Sequence, residues 1–205
     1  MGRALDRAQR PIPLDERLLP RNDRGEVFRS RYDRAALPPA RPAATLLAIY
    51  PDPSGRLVLP LTVRRAELRA HAGEVSLPGG AIDAGDASTE AAALREAWEE
   101  IGLEPDLVRI VGSLDPVWIP VSNYELVPVV GTVAARPELV PQDSEVAAIV
   151  ELPLDALHDE EVIGVEHFTA RGITLSAGAY RYGGVQVWGA TAITLGMLAH
   201  VLDTA

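Results

Sequence analysis

The stretch Gly79–Leu103, GGAIDAGDASTEAAALREAWEEIGL, constrains this chain more than any other part of it. A double-glycine turn leads through an acid-bearing loop into a helix. Ser88 or Thr89 can cap that helix, Glu90 falls in its first turn and Gly102 ends it, so the pattern predicts a helix over Ser88–Ile101. Ala91, Leu94, Ala97, Trp98 and Ile101 recur at three and four residues and predict its apolar face. The helix also carries Arg95, Glu96, Glu99 and Glu100. Glu96 lies three residues before Glu99 and four before Glu100, which predicts that the three carboxylates share one face. Within the helix only Arg95 is available as a counter-charge, and it reaches Glu99. Hard oxygen donors clustered in this way suit Mg²⁺ or Mn²⁺, with waters and a substrate phosphate completing an octahedron. An acidic run of this kind, taken alone, is usually a solvated helix face. The glycines change that balance: Gly79 and Gly80 let the backbone approach the helix closely and offer a carbonyl toward a cation.

The flanking sequence reads as many strands and a second helix. Ala43–Tyr50 is a continuous apolar run, hence a buried strand, and Arg56–Val63 pairs with it across the turn Pro51–Gly55. Glu74–Leu77 is a short extended piece that runs into a break at Pro78-Gly79-Gly80. Strands are expected at Leu107–Leu114, Tyr124–Ala134 and Val146–Leu152, with loops at Asp115–Asn123 and Arg136–Ser144. Val162–Thr169 and Gly172–Tyr180 read as a late hairpin. Trp188–Leu202 is the final helix, with Ala192, Leu195, Ala199 and Leu202 on one side. The expected fold class is α/β, a mixed sheet between helices.

Composition narrows the function. The chain of 205 residues has a net charge of −10, which disfavours nucleic acid as a partner, since such binding needs a basic face. It contains no cysteine, which excludes thiol catalysis and cysteine-ligated zinc. It contains no lysine either: all 19 basic residues are arginine, so Schiff-base chemistry and a phosphate-loop lysine are ruled out. No run approaches the roughly 20 apolar residues of a membrane span, and no signal segment is evident. The cytoplasm is therefore expected by absence. Met1–Arg41 holds ten arginines and six acids with several prolines, and reads as an arm of residues 1–41 before a domain of residues 42–205. The arm is expected to wrap the domain or a sister subunit, with a contribution to the substrate site as the alternative.

The box Gly80…Arg95-Glu96-x-x-Glu99-Glu100-x-Gly102-Leu103 resembles that of the Nudix hydrolases, G-x5-E-x7-R-E-U-x-E-E-x-G-U, where U is bulky and apolar. Asp86 stands in the place of the first glutamate, eight residues rather than seven separate it from Arg95, and Ala97 fills a bulky slot. Upstream, LTVRRAELRAHAGEVSLPGG (Leu61–Gly80) is similar to the signature of the coenzyme A pyrophosphatase branch, with Thr62, Arg64, Arg69, Gly73, Pro78, Gly79 and Gly80 in register. Pro60, Arg65 and Leu77 depart from it. Glu145-Val146 with Leu152-Pro153-Leu154, and Trp188-Gly189-Ala190-Thr191-Ala192, extend the likeness to Leu202.

The resemblance implies an α/β/α sandwich and metal-dependent hydrolysis of a diphosphate-linked small-molecule nucleotide. It implies Glu96, Glu99, Glu100 and the Gly79 carbonyl as ligands of Mg²⁺ or Mn²⁺. Arg95 would hold a glutamate by a bidentate pair, and Glu145 would be a further ligand or the general base. Arg64, Arg69 and His71 would bind substrate. Coenzyme A or a derivative is the leading substrate, giving 3′,5′-ADP and 4′-phosphopantetheine. ADP-ribose, NADH or a dinucleoside polyphosphate is the alternative, and a non-catalytic nucleotide-binding module the third reading. A homodimer is compatible with the family, with the arm as an element that could be exchanged. Asp83 and Asp86 either position the loop or solvate it. Trp118, Tyr124 and Trp188 either stack on a base or pack in the core.

Overall fold

In a computed structural model the apolar run becomes strand β1 (Arg41–Pro51), whose residues 43–50 are all buried. The structure describes residues 1–27, 34, 37–65, 74–159, 163–170 and 173–204. Alternation along β1 divides its side chains between two cores. Ala44, Leu46, Ala48 and Tyr50 enter one cluster, and Leu47 and Ile49 enter the other. Before β1 lies helix α1 (Gly2–Arg7). After it come β2 (Leu57–Arg64), β3 (Val75–Ser76) and β4 (Gly79–Ala81). Helix α2 (Thr89–Ile101) follows, then β5 (Val108–Ser113), β6 (Val117–Ile119), β7 (Tyr124–Val133) and β8 (Val146–Pro153). The chain ends in β9 (Ile163–Ala170), β10 (Ile173–Tyr182), β11 (Val185–Val187) and helix α3 (Gly189–Asp203).

Among the described residues, β1 to β8 form one mixed sheet along the path β3-β2-β1-β7-β5, and β11-β10-β9 form a second, antiparallel sheet. β1 runs parallel to β7, with Arg41 opposite Tyr124 and Ala44 opposite Val127. On its other edge β1 pairs with β2 only at Tyr50 and Pro51, and with β4 at Ala43, Ala44 and Thr45. β2 therefore splays away from β1, and β4 takes its place. Helix α2 covers one side of the sheet; α3 packs over the other. The mixed-sheet α/β class expected from the sequence holds.

Several local readings change. The Pro78-Gly79-Gly80 stretch is a strand edge rather than a break. A Cβ on Gly79 would lie 2.4 Å from the Ala44 carbonyl oxygen, so only glycine lets this segment lie so close against β1. The loop at 115–123 contains β6, which pairs with β7 through a turn at Asn123, a residue at φ +53°. Trp98, expected on the apolar face of α2, is 52% exposed. Of the expected face Ala97 and Ile101 are buried, joined by Ala92, Ala93 and Glu100, because small side chains let the helix sit close on β1. Helix α3 is buried nearly all round, at Ala192, Leu195, Met197, Leu198 and Val201 among others, rather than on one side. The N-terminal segment covers its remaining face. Ala4, Leu5, Ile12 and Leu18 join the α3 core, and a Cβ on Gly196 would sit 2.7 Å from Leu18 Cδ1. Further on, Arg21 and Ser176 exchange backbone hydrogen bonds of 2.6 and 2.9 Å, so the arm pairs with the edge of β10. No described helix is long and apolar enough to cross a membrane.

Candidate active site

The site lies where β2 parts from β1 and β4 takes its place. Three links set its scaffold. The Ser88 hydroxyl accepts from Ala91 N–H at 3.2 Å and starts α2, while Gly102 at φ +66° ends it. The Thr45 hydroxyl and the Leu46 N–H both donate to the Pro78 carbonyl, at 2.7 and 2.9 Å, and fix the entry to β4. The loop after β7 then docks on the last turn of α2: Gln142 N–H donates to the Glu100 carbonyl at 2.8 Å and Val140 N–H to the Ile101 carbonyl at 2.9 Å. These bonds satisfy helix-end carbonyls that would otherwise lack partners. They also bring the turn ending in Glu145 beside the helix.

Glu100 is the innermost carboxylate, 6% exposed. Gly79 N–H donates to its Oε2 at 3.3 Å, and an Arg64 Nη1 lies 3.8 Å from its Oε1. Burial pushes its pKa up to about 7. The charges of Glu96 and Glu145 push the same way, against the Gly79 N–H and Arg64. Glu96 is also raised, first by burial and then by Glu99 and Asp83, with Arg95 opposing. Its carboxylate fills the space over Gly80, where a Cβ would lie 2.5 Å from Oε1. Glu99 turns outward, its side chain 49% exposed. The expectation that three carboxylates share one face is thus corrected. Glu96 and Glu100 line the inner side and Glu99 stands at the rim, because a residue three positions on is rotated away from one four positions on.

Arg95 ties the rim together. It makes a bidentate pair with Asp86, Nε to Oδ1 and Nη2 to Oδ2, both at 3.0 Å. Its Nη1 donates to Glu96 at 2.9 Å and to Glu99 at 3.1 Å, and its Nη2 also reaches the Ala81 carbonyl at 3.0 Å. The bidentate partner is therefore the loop aspartate and not a helix glutamate, as expected from the sequence. Asp86 in turn accepts from Asp83 N–H at 2.8 Å, and the Arg95 guanidinium holds its carboxyl below the usual range. Asp86 had no assigned partner in the sequence. Its spacing from Arg95, across a loop and two helical turns, gives no geometric cue.

The remaining site residues fall as follows. Glu145 is exposed at the mouth of β8, where its carbonyl accepts from Arg65 N–H at 3.0 Å. The Arg64 Nε is buried and has no hydrogen-bond partner among the described residues. Arg69 and His71 lie outside the described residues.

This donor set fits a divalent cation: hard oxygens, two of the carboxylates largely buried, with burial first and neighbouring carboxylates second raising both pKa values. Among the described residues, no three acidic or imidazole groups converge on one ion position as the side chains stand. Arg95 draws Glu96 and Glu99 to itself, away from Glu100.

Comparison with known proteins identifies the family. The profile of the NUDIX domain matches residues 40–171. The chain is 42% identical over 134 residues to the "Uncharacterized Nudix hydrolase NudL" of Pectobacterium atrosepticum, covering 62% of this chain and 68% of that protein. It is 41% identical over 144 residues to the NudL of Cronobacter sakazakii, covering 70% and 71%. A crystal structure of a Nudix hydrolase from M. smegmatis, RenU, shares the fold, with a TM-score of 0.55 at 23% identity, covering 90% of this chain and 93% of that one. The chain belongs to the Nudix hydrolases, pyrophosphohydrolases that act on nucleotide-linked diphosphates.

Proposed function

We propose that this enzyme hydrolyses the diphosphate bond of coenzyme A or a derivative, releasing 3′,5′-ADP and 4′-phosphopantetheine. The observation that carries this reading is Arg64, from the Leu61–Gly80 motif, 3.8 Å from Glu100, with a buried Nε that has no hydrogen-bond partner among the described residues. An arginine there is poised to take a phosphate oxygen beside the carboxylates. Glu96, Glu99, Glu100 and the Gly79 carbonyl would hold Mg²⁺ or Mn²⁺, which when bound neutralises phosphate oxygens and lowers the pKa of water. Arg95, held by Asp86, orients Glu96 and Glu99. Glu145, whose charge acts on Glu100, would accept a proton from the attacking water. Arg69 and His71, by their place in the Leu61–Gly80 motif, would bind substrate. Residues 42–205 form the catalytic domain, with residues 1–41 as its arm.

The test is to incubate the full chain with coenzyme A, with and without Mg²⁺ or Mn²⁺, and resolve the products by chromatography and mass. Metal-dependent 3′,5′-ADP is expected. AMP from ADP-ribose or a dinucleotide with no product from coenzyme A would overturn the substrate and keep the enzyme class.

A further inference from the structure

We propose that the indole of Trp118, with Arg34 from the N-terminal arm, forms the subsite for the nucleobase end of the substrate. This rests on the reading of the site as one for a nucleotide-linked diphosphate. Trp118 is a large aromatic that, among the described residues, joins neither apolar cluster. Its neighbour Val117 packs against the α3 core. Alternation along β6 therefore turns Trp118 to the opposite, α2 face, the face of Glu96 and Glu100. Register places it in a row that leads to the site. Trp118 pairs with Glu125, Glu125 with Pro42, and the Pro42 carbonyl accepts from Ile82 N–H at 3.1 Å. Ile82 begins the loop that carries Asp83 and Asp86. Along β1, Pro42 is two residues from Ala44, which faces Gly80, so the row lies about 7 Å along the strand from the carboxylate floor.

The ring is held ready. Its Nε1 donates to Asn123 Oδ1 at 3.1 Å, and the Asn123 amide donates to the Pro38 carbonyl at 3.1 Å, which ties the turn to the arm. The Arg34 guanidinium lies 5.5 Å from the ring centroid and pairs with Glu125. That ion pair is exposed on both sides and contributes little by itself, so the cation is free to serve a ribose phosphate. A partly exposed indole with its one polar atom satisfied offers a π-face, and base stacking on such a face is sequence-tolerant and substantial. Tyr124, with Arg41 4.0 Å above its ring, lies on the other face of the hairpin and braces it.

The experiment compares the full-length wild type with Trp118→Ala and Trp118→Phe. AMP carries the base and cannot be cleaved as a diphosphate; inorganic diphosphate carries no base. By calorimetry, AMP affinity is expected to fall roughly tenfold in Trp118→Ala, with most of it restored in Trp118→Phe and diphosphate affinity unchanged. The KM for the nucleotide substrate should rise by a similar factor with kcat within twofold. Unchanged AMP affinity, or an equal loss for AMP and diphosphate that phenylalanine does not restore, overturns the proposal. Loss of coenzyme A cleavage with AMP still bound through Trp118 overturns the substrate reading alone.

Discussion

At the scale of single residues, the site depends on a carboxylate kept largely out of water. Glu100 has a folded pKa near 7, raised above its ordinary value chiefly by burial. A carboxyl raised in this way binds a proton in the fold that the unfolded chain releases. Its contribution is fully present below about pH 4.5 and is lost as pH rises through about 7. The chelator-treated protein should therefore lose up to roughly 3 kcal/mol of stability over that window. Glu100→Gln should flatten the profile while lowering kcat by at least about a hundredfold. Urea melts across pH 4.5–8 check the first part, and a profile unchanged in the variant would refute the assignment. Asp86 acts through Arg95. Asp86→Ala should lower kcat about 10- to 100-fold, as expected for the loss of a partner that orients site ligands. The melting temperature should fall modestly, because the Asp86 side chain is 7% exposed and its loss leaves Arg95 and the Asp83 N–H without that partner. A large loss of stability with normal kcat per folded molecule would make Asp86 purely structural.

At the scale of elements, two adjacent glycines should answer differently to the same change. Gly79→Ala drives a methyl group against the backbone of β1, 2.4 Å from the Ala44 oxygen and 2.6 Å from Thr45 Cα. Neither can move without unzipping the strand pair, so a loss of several kcal/mol is expected, on the order of other overpacked sites. Gly80→Ala meets the flexible end of Glu96, 2.5 Å from its oxygen. That side chain can swing aside, so the fold should survive with turnover reduced at least tenfold. Thermal melts and kcat measured side by side distinguish the two, and equal effects on both would contradict the geometry. The same elements explain where helical periodicity misleads. Along α2, alanines at 91, 92, 93 and 97 allow several apolar stripes, and Trp98 outweighs them on hydrophobicity alone. What decides is the close seat on β1, which excludes a bulky ring.

At the scale of the molecule, the arm belongs to the structure it wraps. Leu18 is fully buried between α3 and β10, and Gly178 and Gly196 leave the room it needs. Leu18→Ala should cost about 2–5 kcal/mol, read from denaturant unfolding. A change under about 0.5 kcal/mol would show the arm to be a loose cover. Trimming the arm would also remove Arg34 and Arg41 from the β6–β7 hairpin.

The chain by itself determined helix α2 with both caps, the buried run of β1, the mixed α/β class and the set of acidic residues. These are legible because caps, apolar runs and short spacings are local, and local geometry follows directly from backbone periodicity. Tertiary structure alone decided that Gly79-Gly80 enters a strand, that Asp86 rather than a glutamate is the bidentate partner of Arg95, and that Glu99 stands apart from Glu96 and Glu100. It also decided that α3 is covered on its outer side by the arm. Each of these depends on which distant segments pack together, and packing is settled by volume and hydrogen-bond satisfaction among residues far apart in the chain.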